Sequence, residues 1–207
     1  MVVVLDYLGW VDMLQGDNRA ARACFEEAMA IARPLRIDDR IGGLLRWLGL
    51  LARDEGNFEQ AWRLLEESDA VARRVGDRGL SALTHYSMGL LARAQGDRGR
   101  ARACAQASLS MARDIGATLL QISGIGLVGI LAIAGGAHQQ GVRLLARSGP
   151  GPTGGWWYLP DELQTHQESV LAARTALGER AFTQAWADGR AMSLEEAVAH
   201  ALEEAGD

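Results

Sequence analysis

The stretch LLARAQGDRGRARA, from Leu90 to Ala103, has the composition of an anion-binding loop: a Gly-Asp pair, a second glycine and flanking arginines. Its candidate phosphate ligands are Gly96, Arg98, Gly99 and Arg100. A phosphate loop normally follows a β-strand, and no strand pattern precedes this stretch. Similar segments recur forty residues away in both directions. The sequence therefore predicts a solvent-facing turn of a repeating scaffold here.

The other residues that could do chemistry show no spacing typical of a catalytic or metal site. The four histidines, His85, His138, His166 and His200, form no His-x-x-x-His motif, and no Cys-x-x-Cys motif occurs. No nucleophile-elbow motif accompanies a serine. Adjacent carboxylates such as Glu26-Glu27 fit exposed helix faces better than an acid/base pair. We therefore expect no catalytic residue, no metal and no cofactor, and the protein is predicted not to be an enzyme.

Charge and cysteine usage limit the class of partner and the compartment. The 207 residues carry a net charge of −5, whereas a domain that binds nucleic acid or an anionic membrane usually has a basic excess. The start, MVVVLDYLGW, lacks the basic region of a signal peptide, and no apolar run is long enough to span a membrane. Cys24 and Cys104 are eighty residues apart and are expected to be free, buried thiols. These features predict a cytoplasmic protein.

Small and apolar residues recur at steps of forty residues. The clearest columns are Gly9, Gly49, Gly89 and Gly129; Gly16, Gly56, Gly96 and Gly136; and Leu8, Leu48, Met88 and Val128. Within a repeat the apolar residues follow the spacing of one helix face. The second glycine ends a helix, and the Asn or Asp after it caps the next one. Each repeat is therefore predicted to be a helical hairpin that buries its apolar face by stacking on its neighbours.

The order Leu8-Gly9, Gly16-Asp17, Ala21 and Phe25 resembles the tetratricopeptide repeat (TPR). The resemblance covers residues 1–147 as four repeats, each six residues longer than the usual ~34. The fourth repeat is degenerate, with Gly141 where alanine is expected. The resemblance implies an all-α, right-handed TPR-like α-solenoid of helical hairpins with a C-terminal helical cap. A Gly/Pro/Trp loop at 148–160 and capping helices at 161–207 complete the predicted organisation.

The segment Ala176–Ala205 resembles the tail that closes the repeat region of large actinobacterial regulators. Those proteins combine an ATPase core with a LuxR-type DNA-binding domain or a nucleotide cyclase domain. The resemblance is carried by Phe182, Trp186, Gly189, Met192 and a Ser-Leu-Glu-Glu-Ala run. No GxxxxGK[ST] loop and no basic recognition helix occurs, so the activities of those regulators are not implied.

Local signals predict three helices in this C-terminal region. One begins at Pro160-Asp161 and continues to about Leu177. A short helix around residues 179–188 buries Phe182 and Trp186. Ser193 and Glu196 are spaced as a capping box for the last helix.

In tetratricopeptide arrays, the first helices of successive repeats line a concave groove that holds a protein or peptide segment. Carrying these positions over gives a predicted partner-binding groove of Trp10, Met13, Arg46, Leu50, Arg53, Tyr86, Leu90 and Arg93, with Asp6, Ile130 and Ile133 on the same face. Arg53 and Arg93 share a column, and paired arginines suit an acidic partner.

Two further surfaces are candidates. The aromatic residues Trp156, Trp157 and Tyr158 either fold back over the last hairpin or form a secondary contact patch. At the other end, Met1-Val-Val-Val opens directly inside a repeat. Either further repeats precede it, or this hydrophobic face meets a partner or a second copy in a homo-oligomer.

The sequence thus predicts a non-catalytic protein–protein interaction or scaffold module. The C-terminal resemblance implies that it is the repeat region, or a remnant, of a multidomain signalling or transcriptional regulator. The alternative is a peptide or small-molecule sensor whose ligand alters the oligomeric state.

Overall fold

The computed structural model describes residues 1–149 and 160–203. Eleven α-helices and no β-strand occupy these two ranges, and the predicted all-α fold is confirmed. The helices are α1 Val2–Gln15, α2 Asn18–Ala32, α3 Asp38–Asp54, α4 Phe58–Val75, α5 Arg78–Ala94, α6 Arg98–Asp114, α7 Thr118–Ala134, α8 His138–Ser148, α9 Pro160–Leu177, α10 Glu179–Ala191 and α11 Leu194–Glu203. The chain divides into two compact units, Met1–Asp97 and Arg98–Asp207.

Glycines in the left-handed conformation form the turn inside each repeat. The φ angles of these glycines lie between 76° and 90°, a range that residues with a Cβ rarely adopt. The four are Gly16, Gly56, Gly96 and Gly136. In the first two repeats, the side chain of the next residue caps the following helix: the carboxylate of Asp17 accepts a hydrogen bond from the backbone N–H of Ala20 (2.9 Å), and Oδ1 of Asn57 accepts one from the backbone N–H of Gln60 (3.4 Å). The Gly-Asp stretch at Gly96 is therefore one of four equivalent helix-ending turns.

A second set of left-handed residues forms the turns between repeats. Gly76 and Gly116 have φ of 73° and 66°. The same forty-residue step places Arg36 in this column, and its φ is 52°. Within the described ranges, Arg36 is the only non-glycine residue with a positive φ. The first of these turns therefore carries backbone strain that the later two avoid.

Small residues let the two helices of a hairpin approach closely. A Cβ added at Gly49 of α3 would lie 2.9 Å from Cγ of Leu65 on α4. The approach is tighter between α7 and α8, where a Cβ at Gly141 would lie 2.6 Å from the carbonyl oxygen of Gly129. This backbone contact explains why glycine replaces the alanine of the earlier repeats at position 141.

Successive repeats of the first unit are linked at equivalent positions. The guanidinium of Arg22 on α2 donates to the carboxylate of Glu55, which follows α3 (2.8 Å). Forty residues later, the indole N–H of Trp62 on α4 donates to the side chain of Gln95, which follows α5 (2.7 Å). The chemistry differs, but both bonds join a second helix to the end of the next first helix.

Within the second unit, the C-terminal helices pack on α7 and α8. As predicted, α9 runs from Pro160 to Leu177. On α10, the rings of Phe182 and Trp186 stack with centroids 5.5 Å apart. Phe182 belongs to a hydrophobic cluster built by α7, α8, α9 and α10, with Ile133, Val142, Leu145, Ala173 and Ala185.

A close backbone contact at Gly189 positions α10, and a capping box stabilises the start of α11. A Cβ at Gly189 would collide with the carbonyl oxygen and Cα of Arg143, so α10 contacts the backbone of α8 directly. The predicted capping box is present: Ser193 N–H donates to Glu196 Oε2 (2.7 Å), and Glu196 N–H donates to Ser193 Oγ (3.1 Å). These hydrogen bonds favour the ionised carboxylate and hold the pKa of Glu196 below its usual value.

Candidate partner-binding surface

The predicted groove residues lie on the three first helices of the first unit. Helix α3 contacts both α1 and α5, so the three helices form one layer. Trp10 and Met13 lie on α1, Arg46, Leu50 and Arg53 on α3, and Tyr86, Leu90 and Arg93 on α5.

Most of the apolar groove residues are buried by the chain itself. Met13, Leu50 and Leu90 are almost completely inaccessible, and Tyr86 is also buried. Trp10 is half-buried, and its indole ring meets the exposed ring of Tyr7 edge-on, with centroids 6.1 Å apart. Trp10 is therefore the apolar groove residue that retains most surface for a partner, and the others support the layer.

Arg46 links neighbouring first helices. Its guanidinium lies 3.7 Å above the ring of Trp47, a cation–π geometry. One of its nitrogens donates to Oγ of Ser87 on α5 (3.4 Å). The side chain is buried, so these contacts give it a structural role at the α3–α5 contact.

Arg53 and Arg93 occupy the same column but have different neighbours. Arg53 is buried, and its Nη2 forms an ion pair with Oδ1 of Asp54 (2.6 Å). The position equivalent to Asp54 is Ala94, so the next residue of α5 provides no carboxylate to Arg93. Arg93 is half-buried, and its Nε is shielded from solvent without a hydrogen-bond partner in the described residues.

The sequence alone shows this difference, because Asp54 and Ala94 occupy the same position of successive repeats. Arg93 lies in the last turn of α5, where the partial negative charge of the helix C-terminus favours a cation. The helix dipole alone leaves the shielded Nε–H unsatisfied.

An acidic group of the chain lies near the start of this layer. Burial raises the pKa of Asp6 above its ordinary value, whereas the charges of Arg40 and Arg46 and a hydrogen bond with Trp47 oppose that rise. Burial therefore disfavours the ionised form of Asp6 beside these arginines.

Several predicted residues lie elsewhere. Ile133 is part of the hydrophobic cluster with α8, α9 and α10, and Ile130 packs against it. The expectation that Ile133 lines an open groove is therefore wrong, because α8, α9 and α10 bury it, whereas Ile130 is partly buried. The predicted secondary patch, Trp156, Trp157 and Tyr158, lies outside the described residues.

Among the described residues, the cysteines and the potential metal ligands provide no further candidate site. Cys24 and Cys104 are free thiols, and both are partly rather than fully buried. Burial raises the pKa of the Cys24 thiol, and the nearby Asp12 carboxylate adds to that rise, so its thiolate form is disfavoured. Within residues 1–149 and 160–203, no three His, Cys, Asp or Glu side chains cluster closely enough to hold a metal ion.

Comparison with known families agrees with this architecture. Residues 40–114 match the tetratricopeptide-repeat family model, from the first turn of α3 to the end of α6. The match and the helix order define a TPR-like domain in an all-α helical-repeat protein. TPR repeats generally mediate protein–protein interaction or scaffolding, and folds of this class are typically non-catalytic. No curated protein matches the chain.

Within the described part of the chain, no helix is both long enough and apolar enough to cross a lipid bilayer.

Proposed function

We propose that this protein is a non-catalytic interaction module whose α1–α3–α5 layer binds an acidic segment of a protein partner at Arg93. The observation that carries the proposal is the half-buried side chain of Arg93, for which, unlike Arg53, the next residue of its helix supplies no carboxylate. A carboxylate from a partner would form a charge-assisted hydrogen bond there, with a net value of roughly 1.5–3 kcal/mol. Trp10, on the same layer, supplies an aromatic contact of the kind common in interfaces.

The roles of the other groove residues differ. Arg53, whose charge is balanced by Asp54, supports α3. Leu50, Leu90, Met13 and Tyr86 fix the positions of the first helices. Recognition is thus proposed to use the polar edge of the layer rather than its apolar centre.

The C-terminal resemblance supports a finer proposal. We propose that the chain is the repeat region, or a remnant, of a cytoplasmic multidomain signalling or transcriptional regulator. Phe182, Trp186, Gly189, Met192 and the Ser-Leu-Glu-Glu-Ala run carry the resemblance, and Phe182 and Gly189 pack α10 against α8. A tail defined by packing residues is compatible with the different activities of such regulators.

A cleft in the second unit favours a second candidate function, that of a sensor for a peptide or small molecule. It measures about 580 Å³ and is lined by Arg143, Asp188, Met192, Glu196, His200 and Glu203. Three carboxylates and one guanidinium suit a ligand with a cationic group. His200 Nε2 is shielded there and has no hydrogen-bond partner among the described residues. Saturable binding of such a ligand, with a change in oligomeric state, would support this alternative.

The principal proposal is tested by quantitative capture of proteins from a host lysate with three forms of the purified chain. These are the wild type, Arg93→Glu and the control Arg63→Glu, which makes the same charge change at an exposed position of α4. We expect the same partner with the wild type and the control, and its loss with Arg93→Glu at an unchanged helical signal. Equal capture by all three forms would contradict the proposal.

A further inference from the structure

The contact between α4 and α5 contains polar side chains at positions that are apolar one repeat earlier. They are Asp69 on α4 and Ser81 and His85 on α5, and this set is called the polar cluster below. Asp69 and Ser81 are buried, and His85 is partly buried. In the contact between α2 and α3, the equivalent positions are buried and apolar: Met29, Ile41 and Leu45.

The contact between α6 and α7, one repeat later, is apolar at two of these three positions. Leu109 and Ile125, the equivalents of Asp69 and His85, are fully buried. The third position is Gln121, whose side-chain amide donates to the backbone carbonyl of Ala112 near the end of α6 (3.3 Å). Among these three contacts, only that of α4 with α5 therefore has a buried carboxylate at these positions.

The polar cluster surrounds the Asp69 carboxylate with donors. Ser81 Oγ donates to Oδ1 of Asp69 (2.5 Å), and Nη2 of Arg73, one turn further along α4, forms an ion pair with Oδ2 (3.0 Å). Nδ1 of His85 lies 3.0 Å from the carbonyl oxygen of Ser81 and 3.6 Å from Oδ1 of Asp69. Because both of these neighbours are acceptors, Nδ1 carries the proton of the neutral ring. The charge of Asp69 on α4 is thus stabilised by two side chains of α5.

A pair of hydroxyl groups extends the polar contact. Ser68 on α4 and Thr84 on α5 are fully buried, and their hydroxyl oxygens lie 2.9 Å apart. The Thr84 hydroxyl oxygen also lies 2.8 Å from the carbonyl oxygen of Leu80. The equivalent of Thr84 on α3 is Leu44, which is fully buried as well. Helix α5 therefore presents hydroxyl and imidazole groups where α3 presents aliphatic side chains.

The two kinds of contact are poorly compatible with each other. A buried carboxylate that loses its donors is strongly destabilising, whereas a complete apolar set can replace a buried polar set at little cost. Asp69 would lose the Ser81 hydroxyl and the His85 imidazole if α4 packed on a first helix with isoleucine and leucine at these positions. In the reverse mismatch, α2 on α5, Met29 would supply no carboxylate to Ser81.

We infer that the polar cluster selects the native order of the repeats, because it favours the packing of α4 on α5 and disfavours its packing on another first helix. The repeats share a forty-residue pattern, so a slip by one whole repeat would otherwise bring similar apolar surfaces together. An apolar set between α4 and α5, like that between α2 and α3, would supply more hydrophobic burial. The cluster therefore contributes specificity rather than additional stability. The inference does not depend on a partner that binds at Arg93.

The test is a thermodynamic cycle between the two helices, measured by urea unfolding of the full chain. Ser81→Ile/His85→Leu gives α5 the residues of α3 and removes the α5 donors of Asp69, so this mismatched form should be less stable than the wild type. Asp69→Met is then made in both backgrounds. It should lower the equilibrium constant of unfolding at least tenfold more in the mismatched form than in the wild type, equivalent to about 1.4 kcal/mol of coupling.

The control is Glu59→Met, at an exposed position near the start of α4. Position 59 is about 15 Å from position 69 along the helix, so its effect should be the same in both backgrounds. An equal effect of Asp69→Met in the two backgrounds would overturn the inference, as would a Glu59→Met effect that differs between them by as much.

A second measurement separates specificity from stability. The matched apolar form, Asp69→Met/Ser81→Ile/His85→Leu, has the same three residues between α4 and α5 as between α2 and α3. It should be at least as stable as the wild type, but a smaller fraction should return to the native monomer after dilution from urea, as measured by gel filtration. Equal recovery of the two proteins would overturn the role in pairing.

A smaller substitution keeps the test decisive if the added isoleucine and leucine prevent folding. Ser81→Ala replaces them in the same cycle, because it removes the donor to Oδ1 of Asp69 and adds no volume. Asp69→Met should again stabilise this form more than the wild type. An equal effect in the two backgrounds would overturn the inference.

Discussion

Arg53 and Arg93 occupy equivalent positions on neighbouring first helices, but their immediate environments differ. Arg53 forms an ion pair with Asp54 at 2.6 Å, whereas Arg93 is followed by Ala94. A single substitution in one column of the repeat thus removes from Arg93 the neighbouring carboxylate that Arg53 has. This difference is why the proposed partner site is centred on Arg93 rather than spread along the layer.

Replacing Arg36 with glycine should stabilise the protein. Arg36 has a φ of 52° in a turn where Gly76 and Gly116 occupy the equivalent positions. Relief of the left-handed strain outweighs the greater freedom of glycine in the unfolded chain, for a net gain of about 0.5–1 kcal/mol. Urea titration followed by circular dichroism measures the change.

The matched control is Arg63→Gly in the interior of α4, where the backbone is helical. It should cost about 1 kcal/mol, because glycine is a poor helix former. If both variants destabilise the chain equally, Arg36 is not strained in solution.

Gly189→Ala should loosen the C-terminal helices. The added methyl group would collide with the backbone of Arg143, which cannot rotate away as a side chain could. The expected loss in the free energy of unfolding is about 1–3 kcal/mol. Hydrogen exchange should show the largest loss of protection in α10 and in the segment of α8 around Arg143.

The control for this substitution is Gly43→Ala on α3. A Cβ there has nothing within 4 Å, and alanine favours helix by about 0.5–1 kcal/mol. Gly43→Ala should therefore be neutral or stabilising. An equally harmless Gly189→Ala would show that α10 is not seated on α8 as described.

The stability of the second unit should fall when the pH drops below about 6.5, the ordinary pKa of histidine. Burial lowers the pKa of His166 in the folded chain, and a backbone hydrogen bond at Leu145 only partly opposes this. The unfolded chain therefore binds the proton more readily, and unfolding is favoured as the pH falls through this range.

The measurement is urea unfolding of the wild type and His166→Gln between pH 7.5 and 5.5. The wild type should lose more stability over this interval than the variant, because glutamine does not titrate. Parallel pH profiles for the two proteins would show that His166 is not held in its neutral form.

Much of the fold follows from the period of the sequence. Glycine columns placed the turns at Gly16, Gly56, Gly96 and Gly136, because only glycine adopts a positive φ without strain. The capping box at Ser193 was also predictable, because a Ser-x-x-Glu spacing allows each side chain to accept a hydrogen bond from the backbone N–H of the other residue.

The remaining features depend on contacts between segments distant in sequence. A column shows that Leu50 and Leu90 share a face, but whether other side chains cover that face depends on packing. The sequence shows that glycine replaces alanine at position 141, but only the structure shows the cause, which is the close contact of Gly141 with the backbone of Gly129. The burial of Ile133 depends on where α9 and α10 pack, and no local pattern specifies that.

The most direct test of the Arg93 site is the affinity of the purified, captured partner for the chain. We predict that Arg93→Glu raises the Kd at least tenfold, equivalent to about 1.4 kcal/mol. Arg93→Lys should lose less affinity, because it keeps the charge but not the planar guanidinium. The Arg63→Glu control should bind like the wild type. A Kd for Arg93→Glu within twofold of the wild-type value would contradict the proposed site.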